Sequence, residues 1–229
     1  MTARARWKEL CMDTDGDDTL GRFYADVLGL GFVPDDDVVG GIEGDVEGQG
    51  IAMCKVPEAR TVKNRVHIDV YADSLDQLTG LGASVVRPAE VSGLPWTVML
   101  DPEGNEFCAF LDIVDKAPDY RFFQLVVDAA DAHEIACWWA GVFDAEVKSH
   151  HSDGSWWGVE GITDLPFTAM TFGTVPEPKT VKNRSHWDIR AQVADMEAAG
   201  ATVLRAKDDE IGWHVMADPE GNELCVFEN

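Results

Sequence analysis

VPEARTVKNRVHIDV at residues 56–70 returns as VPEPKTVKNRSHWDI at residues 175–189. Working outward, each copy is followed by a helix-like stretch ending in Gly-Ala, at Gly82-Ala83 and Gly200-Ala201. Each then reaches a Trp-led strand and a hairpin, DPEGNEFCAF at 101–110 and DPEGNELCVF at 218–227. A repeat of this length decides architecture before any residue-level reading does. It divides the 229 residues into two units, 1–114 and 115–229, each of ordinary domain size.

Each unit divides again. Trp7–Asp13 alternates as a strand, and Thr19–Leu28 carries Leu20, Phe23, Tyr24, Val27 and Leu28 at helical spacing before Gly29. Short strands follow near Gly31–Val33, Val38–Glu43 and Gln49–Lys55. Strand Arg65–Tyr71, helix Ser74–Leu81 and strands at Ser84–Arg87, Trp96–Leu100 and Glu106–Leu111 make a second βαβββ unit. The order recurs from Phe122 to Phe227, and Asp112–Asp119 reads as the linker. The predicted fold is α+β, with four βαβββ modules. Asp-Pro-Glu-Gly suits a type I turn, so the hairpins are read as structure, not chemistry.

The formal net charge of −24 disfavours nucleic acid as a partner. Plain solvation explains such a surface; attraction of a cationic ligand is the sharper reading. Lys63-Asn64-Arg65 and Lys182-Asn183-Arg184 are basic islands kept in both copies. No apolar run approaches the roughly 18 residues that would span a membrane. The basic N-terminus lacks the apolar stretch of a secretory leader. Five cysteines without a framework point to free thiols in a reducing cytoplasm.

Strand alternation sorts the candidates. Arg65, His67, Asp69 and Tyr71 share one face, against Val66, Ile68 and Val70; Arg184, His186, Asp188 and Arg190 match them. The Val/Ile face should pack on a helix, leaving the His/Asp face to line a concavity. Glu106, Cys108 and Phe110 share a face, as do Glu223, Cys225 and Phe227. Trp7, Glu9 and Cys11 are expected together, as are Phe122, Gln124 and Val126. Each half then offers one trio, Glu9, His67 and Cys108 or Gln124, His186 and Cys225. Among eight tryptophans, Trp96 and Trp213 read as core, and Trp157 and Trp7 as candidates to contact a planar ligand. His150-His151 occurs in one half only and reads as a loop tip. The acidic run Asp13–Asp18 lacks the Gly and Glu of a calcium loop.

TLGRFYADVLG (19–29), the His-bearing strand after Lys-Asn-Arg, and DPEGNEF/DPEGNEL together resemble the vicinal oxygen chelate superfamily, which includes glyoxalase I, bleomycin-resistance proteins and extradiol dioxygenases. The resemblance covers nearly the whole chain. It implies two tandem glyoxalase-like domains with cup-shaped mixed sheets, a pseudo-dimer within one chain, as a monomer or a homodimer of such chains. The cups form within each half or by exchange between halves. The resemblance places Glu9, His67, Gln124 and His186 at first-strand metal-ligand positions, and Cys108 and Cys225 where the family has a last-strand Glu. It implies a small-molecule ligand held in the cup, in antibiotic resistance or secondary metabolism. The ligand contacts would be Trp7, Arg65, Asp69, Arg184, Asp188 and Trp157, with His67 and His186 as the reactive groups. No cofactor is the expectation, because the last-strand carboxylates are missing. The alternative is a lyase, isomerase or dioxygenase using Zn, Ni, Fe or Mn. Metal-free base catalysis by His67, with Asp69 or Glu106, is a third reading.

Overall fold

The computed structural model describes residues 2–35, 39–111 and 118–228. Most of the expected linker, and Val38 at the start of an expected strand, lie outside them. The first module contains β1 (Ala5–Thr14), α1 (Thr19–Leu28), β2 (Gly31–Pro34), β3 (Gly40–Glu43) and β4 (Ile51–Lys55). The second contains β5 (Val66–Tyr71), α2 (Leu75–Gly80), β6 (Ser84–Arg87), a short α3 (Ala89–Ser92) that the sequence reading lacked, β7 (Thr97–Leu100) and β8 (Glu106–Phe110). The third contains β9 (Phe122–Ala129), α4 (Ala132–Phe143), β10 (Glu146–Ser149), β11 (Trp156–Glu160) and β12 (Ala169–Thr174). The fourth contains β13 (Ser185–Ala191), α5 (Val193–Ala199), β14 (Thr202–Arg205), β15 (His214–Ala217) and β16 (Glu223–Phe227).

These strands form two eight-stranded mixed sheets, and each sheet takes one module from each half of the chain. The terminal sheet runs β14-β15-β16-β13-β1-β4-β3-β2, joining the first and last modules; the central sheet runs β10-β11-β12-β9-β5-β8-β7-β6, joining the middle two. Exchange between halves is therefore the pairing adopted. The seams are antiparallel, β1 on β13 and β5 on β9.

The repeated motifs hold this exchange in place. Lys63 Nζ reaches Asp128 Oδ2 at 2.5 Å, while Arg65 donates to the carbonyls of Asp128 (2.8 Å) and Glu177 (2.7 Å). Lys182 and Arg184 repeat these bonds on Asp13 and Glu58. Arg65 and Arg184, expected as ligand contacts, thus staple module junctions, where their forked donors satisfy backbone carbonyls. In each DPEGN turn the Asp side chain accepts the backbone N–H groups of the Glu and Asn that follow, and Gly104 and Gly221 take a φ of 83°. Tyr24 of α1 donates to Asp101 and Trp139 of α4 to Asp218, so each half is also tied by its own helix.

The core lies on the helix-covered faces of the sheets. Val66, Ile68 and Val70 are buried there, as their alternation predicted. Trp139 of α4 meets Trp187 of β13 edge to face with ring centroids 5.2 Å apart. Phe23 and Tyr24 of α1 meet Phe107 of β8. Full burial of each large apolar side chain contributes roughly 1.5–3 kcal/mol. No described helix is long and apolar enough to cross a membrane.

Two bulges change which residues face the core. On β1 the pairing slips between Trp7 and Glu9, and on the β5–β9 seam it slips between Asp69 and Val70. One extra residue in a strand turns the following alternation over. Trp7 and Phe122 are consequently buried, both packing on Phe167, with Phe122 stacked at 4.2 Å. Trp7 is a core residue rather than a ligand contact, and it does not share a face with Glu9. The extra residues, Lys8 and Phe123, take places on the polar faces instead.

Candidate functional site

The central sheet encloses a cavity of about 590 Å³. Its floor comes from the strands at the seam. His67 and Asp69 project from β5, Cys108 from β8 and Gln124 from β9, because i and i+2 on a strand share a face. Its wall is aromatic: Trp96, Phe110, Phe123 and Trp156. Trp96 lies 5.4 Å from Phe110 and 6.1 Å from Trp156, and Phe123 lies 5.0 Å from Phe110, centroid to centroid. Trp96, expected in the core, is a wall of the cavity, because it precedes β7 on the same side as Val98, the side opposite buried Thr97 and Met99. Of the adjacent tryptophans it is Trp156 that faces the cavity. Trp157, the expected contact, turns to the opposite face and packs against His133 of α4 at 4.2 Å.

The floor is one connected polar network. His67 Nε2 stands 3.4 Å from Asp69 Oδ1 and 3.7 Å from Cys108 Sγ. Gln124 Nε2 donates to Asp69 Oδ2 at 2.7 Å, and Thr171 Oγ1 donates to Gln124 Oε1 at 2.9 Å. Burial pushes the Cys108 thiol well up, and the Asp69 carboxylate pushes it the same way. Asp69 Oδ1 and His67 Nδ1 are buried without a hydrogen-bond partner among the described residues, a state that normally carries a reason.

The terminal sheet repeats the floor with different contents. His186 Nε2 lies 3.3 Å from Cys225 Sγ and 3.8 Å from Asp188 Oδ1, and Cys11 Sγ lies 3.6 Å from the same oxygen. Lys8 pairs with Glu9, stands 3.6 Å from Asp188 Oδ2 and lies over the Phe227 ring at 4.4 Å. Burial holds the His186 imidazole down to about 4 and lifts the Asp188 carboxyl to about 6. It also drives the Cys225 thiol up. The Cys11 thiol is raised chiefly by its hydrogen bond with Cys54, and that bond lowers Cys54. Lys8, Cys11 and Cys54 were not among the predicted site residues; for Lys8 the bulge is the reason, since strict alternation places it with the core.

The exchange of modules also regroups the expected trios. His67 and Cys108 share the central cup with Gln124, whereas Glu9 lies in the terminal sheet with His186 and Cys225. Two sets of donor atoms converge within 4.8 Å, His67/Asp69/Cys108 and Cys11/His186/Asp188. Imidazole, thiolate and carboxylate suit Zn²⁺ better than a hard cation, and the partnerless Asp69 Oδ1 leaves a donor available. Of the expected ligands, Gln124 has both ends of its amide engaged and Glu9 is paired with Lys8.

The fold compares with known proteins along its whole length. It superposes on glyoxalase I from Zea mays with a TM-score of 0.69 at 14% identity, covering 98% of this chain and 92% of that one. The cppA protein from Streptococcus pneumoniae gives 0.51 at 9% identity, covering 98% and 100%. These likenesses establish the fold alone. No curated protein matches by sequence. The family model for the glyoxalase-like domain matches residues 9–110 and again 124–227. With two matched segments spanning most of its length, the chain belongs to the glyoxalase-like domain family.

Proposed function

We propose that this protein binds a small, planar, largely apolar organic molecule in the central cup. The observation that carries this reading is the cavity of about 590 Å³ whose aromatic wall stands over a polar floor. That volume falls in the range of small-molecule sites, which are mostly apolar with a few placed polar groups. Ring stacking on Trp96, Trp156 and Phe123 supplies affinity, and the His67–Asp69–Gln124 floor fixes orientation. Sequestration of such a molecule is the kind of role the family's resistance proteins suggest, in antibiotic resistance or secondary metabolism.

Calorimetric titration with 4-nitroanisole, a planar aromatic of modest size, tests the reading. Saturable uptake by the native chain, abolished by Val98→Trp, which fills the cavity from β7, is the expected result. No uptake, or uptake untouched by Val98→Trp, overturns it.

The convergence of His67, Asp69 and Cys108 favours a second reading, metal-dependent chemistry on the same ligand. These three residues would hold the ion, which when bound supplies a Lewis acid to a ligand oxygen. Gln124 would keep Asp69 oriented, and the aromatic wall would exclude water from the ligand. Metal analysis separates the readings. Stoichiometric Zn, Ni, Fe or Mn that disappears in His67→Ala supports the enzyme; no uptake under saturating metal removes it.

A further inference from the structure

We propose that His150, held by Glu160, receives the acidic O–H of a planar aromatic ligand in the central cup, so that the molecule is bound as its phenolate. This rests on the aromatic-binding reading above and names the ligand class.

His150 reads as a loop tip in the sequence, yet it lines the cavity. Its ring lies over Gly158 of β11, where a Cβ would stand 2.3 Å from Cε1 and Nε2. Trp156 is seated in the same way over Gly173 of β12, with ring atoms 2.5 Å from the place of a Cβ. Two side-chain-free positions in adjacent strands therefore make room for one polar and one aromatic wall group.

The hydrogen bonds fix which nitrogen is open. Nε2 lies 2.9 Å from Glu160 Oε1. Lys148 and His150 hold the Glu160 carboxyl below its ordinary range, so it accepts, and Nε2 carries the proton. Nδ1 is then an acceptor. Its polar neighbour, Thr171 Oγ1 at 3.5 Å, has already given its proton to Gln124 Oε1. The lone pair on Nδ1 therefore meets no donor from the described residues and calls for one from the ligand.

Of the lining carboxylates, Asp128 pairs with Lys63 and Glu106 with Arg60, while Asp69 accepts from Gln124 at Oδ2 and turns Oδ1 toward His67 Nε2 at 3.4 Å. Arg87 lines the same cavity, and no described residue pairs with it. On binding, the ligand O–H bond breaks and an N–H bond forms at Nδ1. Glu160 faces the resulting imidazolium, and Arg87 is available to the phenolate. The charged groups around His150 are Lys148 on β10, Glu160 on β11, and the neighbouring His151 with its partner Asp153.

The test compares 4-nitrophenol with 4-nitroanisole, at a pH one unit below the solution pKa of the phenol. The expected result is binding of the phenol about tenfold tighter, as a charge-assisted bond allows. The phenolate absorption band should appear on binding. His150→Gln should abolish both the preference and the band while 4-nitroanisole still binds. Gly158→Ala, which displaces the ring without removing it, should weaken both. Equal affinity for the two probes, absence of the band, or a band that survives His150→Gln overturns the assignment of His150. Failure of 4-nitroanisole itself to bind overturns the cup reading on which it rests.

Discussion

The two cups are built from equivalent strands, yet the residue inserted at the bulge sets them apart. In the central cup the extra residue is Phe123, which adds an aromatic wall against Phe110. In the terminal cup it is Lys8, which lies over Phe227 and beside Asp188. Register also equates Gln124 with Glu9, Val126 with Cys11 and Thr171 with Ala52. The central network of neutral amide and hydroxyl becomes an ion pair and thiols in the terminal cup. One cup is walled by rings; in the other a lysine lies over a ring and beside a carboxylate. An apolar cavity and a charged one cannot be exchanged cheaply, because an ion beside an apolar wall loses its hydration.

Moving the distinguishing residue should have the largest effect. Phe123→Lys is expected to weaken 4-nitroanisole binding by about a hundredfold, or roughly 2.7 kcal/mol, measured by calorimetry. Unchanged affinity would break the comparison. Next comes the buried carboxyl of the terminal cup. Because the folded state lifts Asp188 to about 6, its ionisation costs stability that grows as pH rises through the carboxylate range toward that value. Asp188→Asn should therefore stabilise the protein at pH 7.5 by roughly 2 kcal/mol, with the gain fading toward pH 4. Urea unfolding at the two pH values reads this out, and a pH-independent difference would refute it. His186 has the opposite sign. Held down to about 4, it contributes stability at neutral pH that is lost as pH falls from the ordinary imidazole range toward 4. Lys8→Met should destabilise by about 1 kcal/mol at pH 7.5, and less at pH 4.5, where Asp188 is protonated with or without its cation. The smallest contrast is expected where the cups do not differ. Arg65→Ala and Arg184→Ala should each cost about 1 kcal/mol, with Arg184→Ala the larger because Arg184 also pairs with Glu103 at 3.3 Å; a larger loss at Arg65 would refute this.

Much of the scaffold was legible in one dimension. The four βαβββ modules, the DPEGN turns and the burial of Val66, Ile68 and Val70 follow from local rules, since periodicity and turn chemistry act over a few residues. His67, Asp69 and Cys108 were legible as members of polar faces, and they do meet; Gln124 joins them only through the exchange of modules. Trp7 and Trp157 were not, because a bulge and a strand-face choice each reverse a side chain without any mark in composition. His150 was hidden for a different reason: its partners, Glu160, Thr171 and Gly158, come from strands that the sequence alone does not place beside it.

What the sequence by itself determined is the frame. The repeat, the family and the residue types available for chemistry are written in the order of amino acids, because each depends on near neighbours in the chain. What only the tertiary structure decided is which modules share a sheet, and therefore which residues share a cup. That choice rests on long-range contacts, the antiparallel seams of β1 with β13 and β5 with β9 and the Arg65 and Arg184 staples across the junctions. Exchange sets Phe123 and Gln124 with His67 and Cys108 in one cup, and Lys8 with His186 and Asp188 in the other.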